Sequence, residues 1–274
     1  MKNEPGPLSG TKIAVTRPLH QSDEIKALIE SHGGEAILAP TIEIVPKDSP
    51  ILNKFIDDIL ENRFDYLVFL SVNSVICLLD QANKRGIYPR LLENLDKAKI
   101  LCIGEKTRKA IQETGVKSSV SDIQTTEGVI QCFGDDLKGI NIGIPRSSLA
   151  DETLRKALES RGAKITEITT YITRVPRDRE PVLNLIETLI EGEVTAVTFT
   201  SSSTAENLLK IAKEADMETE LREALRSTKV VAIGPKTSQT IEEMGIKVDI
   251  IPSTYSIDSM IDALVESIQG ENRI

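Results

Sequence analysis

Short apolar, β-branched-rich runs alternate along this chain with longer stretches in which apolar residues recur every three or four positions. The runs KIAVT (12–16), YLVFL (66–70), KILCI (99–103), INIGI (140–144), AVTFT (196–200) and KVVAI (229–233) lack the strict alternation of a sheet with one wet face. They predict strands buried on both sides, as in parallel sheets. Between them, Val75, Leu78, Leu79 and Ala82, and later Ala205, Leu208, Leu209 and Ala212, are spaced i, i+3, i+4, i+7. That spacing predicts helices that lay one apolar stripe on a core. Pro50 and Pro181 stand where a first helical turn tolerates a missing amide hydrogen. Alternating strand and helix predicts an α/β protein built of doubly wound parallel sheets of about five strands each.

The pattern occurs twice. ILCIGEKTRKAIQETGVK (100–117) and VVAIGPKTSQTIEEMGIK (230–247) agree at eight of eighteen positions at an offset of 130. At the same offset FDYLVFLSVNSVICLLDQA (64–82) matches VTAVTFTSSSTAENLLKIA (194–212). At an offset of 129, GTKIAVTRP (10–18) matches GINIGIPRS (139–147), and ESHGG (30–34) matches ESRGA (159–163). With the segments matched at offset 129 called A and those matched at offset 130 called B, the order is A-B-A-B, and so long a period means duplication of a domain rather than a solenoid. Two partitions are open: a plain tandem, or a nested arrangement. The stretches ILAPTIEIVP (37–46) and ITEITTYITRVP (165–176) are long, extended and closed by proline, and favour nesting. The boundaries expected on that arrangement are 1–38 plus 175–274 for one discontinuous domain and 47–165 for an inserted one. Residues 39–46 and 166–174 would then be linker strands.

A length of 274 residues fits two ordinary domains. A net charge of −9 and the absence of any Lys/Arg-rich run argue against a nucleic-acid partner, since phosphate neutralisation needs a basic surface. An anionic ligand must therefore be met by local groups. No stretch approaches the length of a membrane span, and the first ten residues have no signal-like apolar region, so a cytoplasmic protein without a membrane partner is expected. Cys77, Cys102 and Cys132 are too widely spaced for a zinc ribbon or redox pair and read as reduced core residues.

Ligands of open parallel sheets bind beyond the carboxyl ends of the strands. The polar residues of this chain collect at those turns: Thr16 and Arg17; Ser71, Asn73 and Ser74; Gly104, Lys106 and Thr107; Arg146 and Ser147; Ser201 to Thr204; Gly234, Lys236 and Thr237. Helix starts there offer free N–H groups and a partial positive charge, enough to hold several carboxylates or phosphates on an acidic protein. Plain helix capping is the alternative at any single turn. GEKT and GPKT lack the glycines of a phosphate-binding P-loop, and no G-x-G-x-x-G follows a strand. His20 and His32 lie near no acidic cluster, so neither a metal site nor a histidine base is expected, and the serine runs lack a nucleophile elbow. Tyr171 is one of only four tyrosines and lies in the second extended stretch. Its phenol is a candidate proton donor, with simple packing of the ring as the alternative.

In their order and spacing TRP, FLSVNSV, IGEKT, TYITRV, TFTSSSTAENLL and AIGPKTSQTIEEMGIKVDIIPSTYSIDSM resemble uroporphyrinogen-III synthases, from Gly10 to about Leu264. The resemblance implies two flavodoxin-like domains joined by a two-stranded linker and facing each other across a cleft. It implies a lyase in its stand-alone form, working without a cofactor or metal as a monomer. Its substrate would be hydroxymethylbilane, a linear tetrapyrrole with eight carboxylates supplied by the upstream hydroxymethylbilane synthase. The reaction closes the ring with inversion of ring D and loss of water. By match of motif, Tyr171 is the linker tyrosine that assists departure of the hydroxyl. Arg17, Ser71, Asn73, Gly104, Thr107, Arg146, Ser201, Ser202, Gly234, Lys236 and Thr237 are the expected substrate contacts; Lys236 stands where the family often has a small or hydroxylated residue. The contrasting expectation is a non-catalytic two-domain small-ligand binder or sensor on a similar duplicated scaffold.

Overall fold

The computed structural model describes residues 6–271. In chain order the elements are β1 (Lys12–Val15), a 3-10 turn (Leu19–Gln21), α1 (Asp23–Ser31), β2 (Glu35–Leu38), β3 (Glu43–Pro46), α2 (Pro50–Leu60) and β4 (Tyr66–Phe69). They continue with α3 (Val72–Lys84), α4 (Tyr88–Leu95), β5 (Lys99–Cys102), α5 (Glu105–Gln112), β6 (Ser119–Val120), α6 (Thr126–Gln131) and β7 (Asn141–Ser147). The remainder is α7 (Thr153–Ser160), β8 (Lys164–Arg174), α8 (Glu180–Ile190), β9 (Ala196–Phe199), α9 (Ser202–Glu214), α10 (Glu218–Ser227), β10 (Lys229–Ala232), α11 (Pro235–Glu243) and α12 (Ile257–Glu271). Pro50 and Pro181 both open helices.

The chain divides into two compact units, Met1–Glu43 with Arg174–Ile274, and Ile44–Thr173. The first unit holds a sheet of order β10-β9-β1-β2, all parallel, extended by a parallel bridge from Val231 to Ile250. The second holds a six-stranded sheet of order β3-β8-β7-β4-β5-β6. Residues 39–46 and 166–174, expected as linker strands, carry β3 and most of β8, and β8 is a full member of the second sheet. It pairs in parallel with β7 from Asn141↔Lys164 to Ser147↔Tyr171. Its backbone groups find their partners in this ladder.

Each sheet is covered on both faces, as its apolar strands require. In the first unit Ala14, Val197, Phe199 and Val230 pack with α8 to α11, while Ile13, Val15, Ala196 and Val231 pack on the other face with α1 and α12. In the second, Leu67, Phe69, Ile100 and Cys102 meet α2 to α5, and Val68, Leu101, Ile142 and Ile144 meet α6 and α7. Burying each large aliphatic side chain contributes about 1.5–3 kcal/mol. Gly143 is required by close approach: a Cβ there would lie 2.8 Å from Leu67 Cδ2 and 3.0 Å from Phe55 Cζ.

Cys77 and Cys102 are buried as expected, but Cys132 is exposed near the end of the short α6. Burial pushes the Cys77 and Cys102 thiols up to about 11. The chain passes between the units at residues 43–44 and 173–174. There Arg174 Nε donates to Glu43 Oε2 at 3.0 Å, which holds the Glu43 carboxyl below the usual carboxylate range.

Candidate active site

In a doubly wound sheet the crevice opens where the strand order reverses. That point falls between β1 and β9 in the first unit and between β7 and β4 in the second. At the carboxyl ends of these strands stand Arg17 and Ser201–Ser202 in one unit, and Ser147 and Ser71 in the other.

In the second unit Ser71 is the N-cap of α3, its Oγ accepting from Ser74 N at 3.2 Å. The same oxygen lies 3.0 Å from the Tyr171 hydroxyl. Tyr171 reaches it because β8 carries a bulge. The register steps from Arg146↔Thr169 to Ser147↔Tyr171, so Thr170 is an extra residue. A bulge breaks the two-residue alternation and re-aims the side chain after it. Accordingly Thr170 and Tyr171, adjacent in sequence, are both buried, Tyr171 to 6% exposure. Asn73 lies in the first turn of α3 and is half-buried.

Arg146, on β7, is spoken for within its own unit. Its side chain is 12% exposed, with Nη1 2.5 Å from Glu167 Oε1 and Nη2 donating to Ala150 O. It borders a polar cavity of about 470 Å³ that Ser147, Ser148, Arg155 and Glu167 also line. Gly104 is the N-cap of α5, and Thr107 is turned inward and buried.

In the first unit Arg17 is half-buried after β1. Its Nη2 donates to Gln21 Oε1 at 3.2 Å, whereas Nε and Nη1 are buried and have no acceptor among the described residues. Burial lowers its pKa, with Glu24 opposing, and a guanidinium remains charged regardless. Ser201 is the N-cap of α9 but makes no side-chain cap bond; Ser202 Oγ donates to Thr240 Oγ1 at 2.9 Å. Gly234 caps α11, where a Cβ would stand 3.2 Å from the Tyr255 ring. Lys236 is exposed and Thr237 buried.

The structure therefore brings Ser71 and Tyr171 into contact, and draws Thr107, Thr237 and Arg146 into internal packing or pairing. Sequence reasoning passed over Glu167, Arg155 and Tyr255. Only Tyr255, 66% exposed, carried a usable signal, as one of four tyrosines beside a helix start. Among the described residues no cluster of His, Cys, Asp and Glu suits a metal ion.

A profile of the family described as "Uroporphyrinogen-III synthase HemD" matches residues 23–262. This chain belongs to the uroporphyrinogen-III synthase family. Family membership makes it a lyase-type cosynthase of porphyrin biosynthesis. A putative uroporphyrinogen-III synthase of Methanothermobacter thermautotrophicus is 34% identical over 266 residues, 95% of this chain and 99% of that protein. The uroporphyrinogen-III synthase of Chlorobaculum parvum is 30% identical over 94% of this chain and 99% of its own length. A crystal structure of a mutant uroporphyrinogen III synthase from Thermus thermophilus aligns with a TM-score of 0.66 at 25% identity, covering 95% of this chain and 99% of that one. The two-domain α/β fold expected for the uroporphyrinogen-III synthase family is the fold of this chain. No helix among the described residues is long and apolar enough to cross a membrane.

Proposed function

We propose that this chain closes hydroxymethylbilane to uroporphyrinogen III, inverting the last ring and releasing water. The observation that carries the mechanism is the Tyr171 hydroxyl, held beside a helix N-cap at the switch point of the second sheet. In this reading the C–O bond of the substrate's hydroxymethyl group breaks with its electron pair going to oxygen. Tyr171 supplies the proton that turns the leaving hydroxyl into water. The azafulvene cation left behind is attacked by the substituted carbon of the terminal pyrrole, giving a spiro intermediate. The bond from that carbon to its original methylene then breaks, the freed methylene joins the unsubstituted α carbon of the same pyrrole, and the proton lost from that carbon restores the phenol. No electrons are exchanged with any partner.

Substrate carboxylates are met by the helix starts at Ser71–Asn73, Gly104, Ser201–Ser202 and Gly234–Lys236, and by Arg17. Charge-assisted hydrogen bonds of this kind contribute about 1.5–3 kcal/mol each. They hold a flexible chain in the one conformation that leads to inversion, which is an entropic contribution to catalysis. A cytoplasmic monomer fed by hydroxymethylbilane synthase completes the proposal.

The test is a coupled assay with freshly generated hydroxymethylbilane, in which the product is expected to be predominantly the type III isomer. Product composition identical to that of spontaneous closure refutes the activity. Tyr171→Phe is expected to lower kcat about 10-fold or more; an unchanged rate returns the tyrosine to packing.

A further inference from the structure

Ser71 makes more of its hydroxyl than a cap requires. It accepts from Ser74 N at 3.2 Å, which satisfies one orphan donor of α3. Its single proton then has two possible acceptors, Ser74 Oγ at 3.3 Å and the Tyr171 oxygen at 3.0 Å. Hydroxyl pairs bond best near 2.7–2.8 Å, so the tyrosine is the better placed of the two. Ser74 does not compete as a donor, because its own proton goes to the Ser71 carbonyl at 2.7 Å. The backbone N–H of Ser74, backed by the positive end of α3, pulls electron density from Ser71 Oγ and strengthens its O–H as a donor.

We propose that Ser71 is a positioning residue for the reaction: it donates to the Tyr171 oxygen, leaving the tyrosine's own proton pointed outward as the acid. This rests on the proposed function of Tyr171. The same bond stabilises the phenolate that exists between departure of water and ring closure, where charge develops and a fixed donor is most effective. The bulge at Thr170 completes the device. Because Thr170 is the extra residue between the pairs Arg146↔Thr169 and Ser147↔Tyr171, the side chains from Tyr171 onward take the opposite phase from the one regular alternation would give them. The reverse polarity, Tyr171 donating to Ser71, would lock the catalytic proton inside the protein.

Three substitutions separate the role in catalysis from the role in capping. Ser71→Thr keeps both cap and donor and is expected to retain kcat within about 3-fold. Ser71→Asp keeps the cap, since aspartate caps as well as serine, but offers the tyrosine only an acceptor. It is expected to lower kcat at saturating substrate about 10-fold or more with the melting temperature near that of the parent, while KM rises because a carboxylate at this helix start repels those of the substrate. Ser71→Ala removes both functions. In the Tyr171→Phe background, Ser71→Asp is expected to cause no further loss in kcat, because the bond it breaks is already gone. A Ser71→Asp enzyme with parental kcat overturns the proposal. So does one whose kcat falls by the same factor with and without the Tyr171 hydroxyl. Failure of the underlying function shows differently: the unmodified protein forms no excess type III isomer, or Tyr171→Phe alone runs at full rate.

Discussion

Arg17 has more buried donors than its surroundings accept. Nε and Nη1 carry three N–H groups between them, and Gln21 takes only a bond from Nη2. A buried, incompletely paired cation costs stability unless a ligand completes it. Arg17→Met is therefore expected to leave the melting temperature unchanged or to raise it. Loss of one charge-assisted pair to a substrate carboxylate should raise KM for hydroxymethylbilane about 10-fold. A variant that melts several degrees lower with KM unaltered would make Arg17 a structural residue. The cysteines give a second contrast at this scale. Thiolates, not thiols, are alkylated. With Cys77 and Cys102 buried and raised to about 11, the native protein should react rapidly with a thiol reagent at one site, the exposed Cys132, and at all three after denaturation. Labelling counted by mass spectrometry checks this; fast modification of Cys77 or Cys102 in the folded state would contradict their burial.

At the scale of elements, the strands and most helix starts were legible because they are local. A run such as YLVFL has only one way to satisfy its apolar side chains, and it forms β4 in a sheet buried on both faces. Pro50 opens α2, where Ser49 accepts from Leu52 N at 3.2 Å. The C-terminal glycines follow the same logic: Gly33 and Gly162, equivalent positions of the repeat, have φ of +85° and +95°, the left-handed turn that ends α1 and α7. Non-local facts were illegible. TYITRV reads as an alternating strand, and nothing in its composition marks Thr170 as the extra residue that turns Tyr171 toward Ser71. Likewise Thr107 and Thr237 share turns with polar neighbours, but helix phase places them inward at 4% and 7% exposure. Cys132 read as core because QCF adjoins an apolar run, yet α6 is only six residues long and ends before burying it.

For the whole molecule, the repeat explains why sequence similarity alone left the partition open. Each copy supplies two A strands and two B strands plus a short terminal one, so either B can complete either A. Spatially, β2-β1-β9-β10 with the Ile250 bridge is the counterpart of β8-β7-β4-β5-β6. Both are the 2-1-3-4-5 order of a flavodoxin-like sheet, the second with its A half following its B half in the chain. The asymmetry has a folding consequence. All the cluster residues of the second unit lie between Leu52 and Ile168, a continuous segment of domain size at about 120 residues. The first unit has no such independence. Its central strand β1, which lies between β9 and β2, comes from before the insertion, and Ile13 and Val15 pack against Ile257, Met260 and Ile261 from the other end of the chain. A fragment of residues 44–173 is therefore expected to fold alone, with helical and strand dichroism and one cooperative urea transition. A fragment beginning at residue 174 would keep only β9 and β10 as paired named strands, with half of a core, and is expected to lack cooperative unfolding. Joining residues 1–43 to 174–274 through a short glycine-serine bridge should restore it, since the Glu43 and Arg174 side chains already meet at 3.0 Å. Cooperative folding of the 174–274 piece by itself, or a featureless 44–173, would mean that the two sheets are not the units in which this chain acquires its stability.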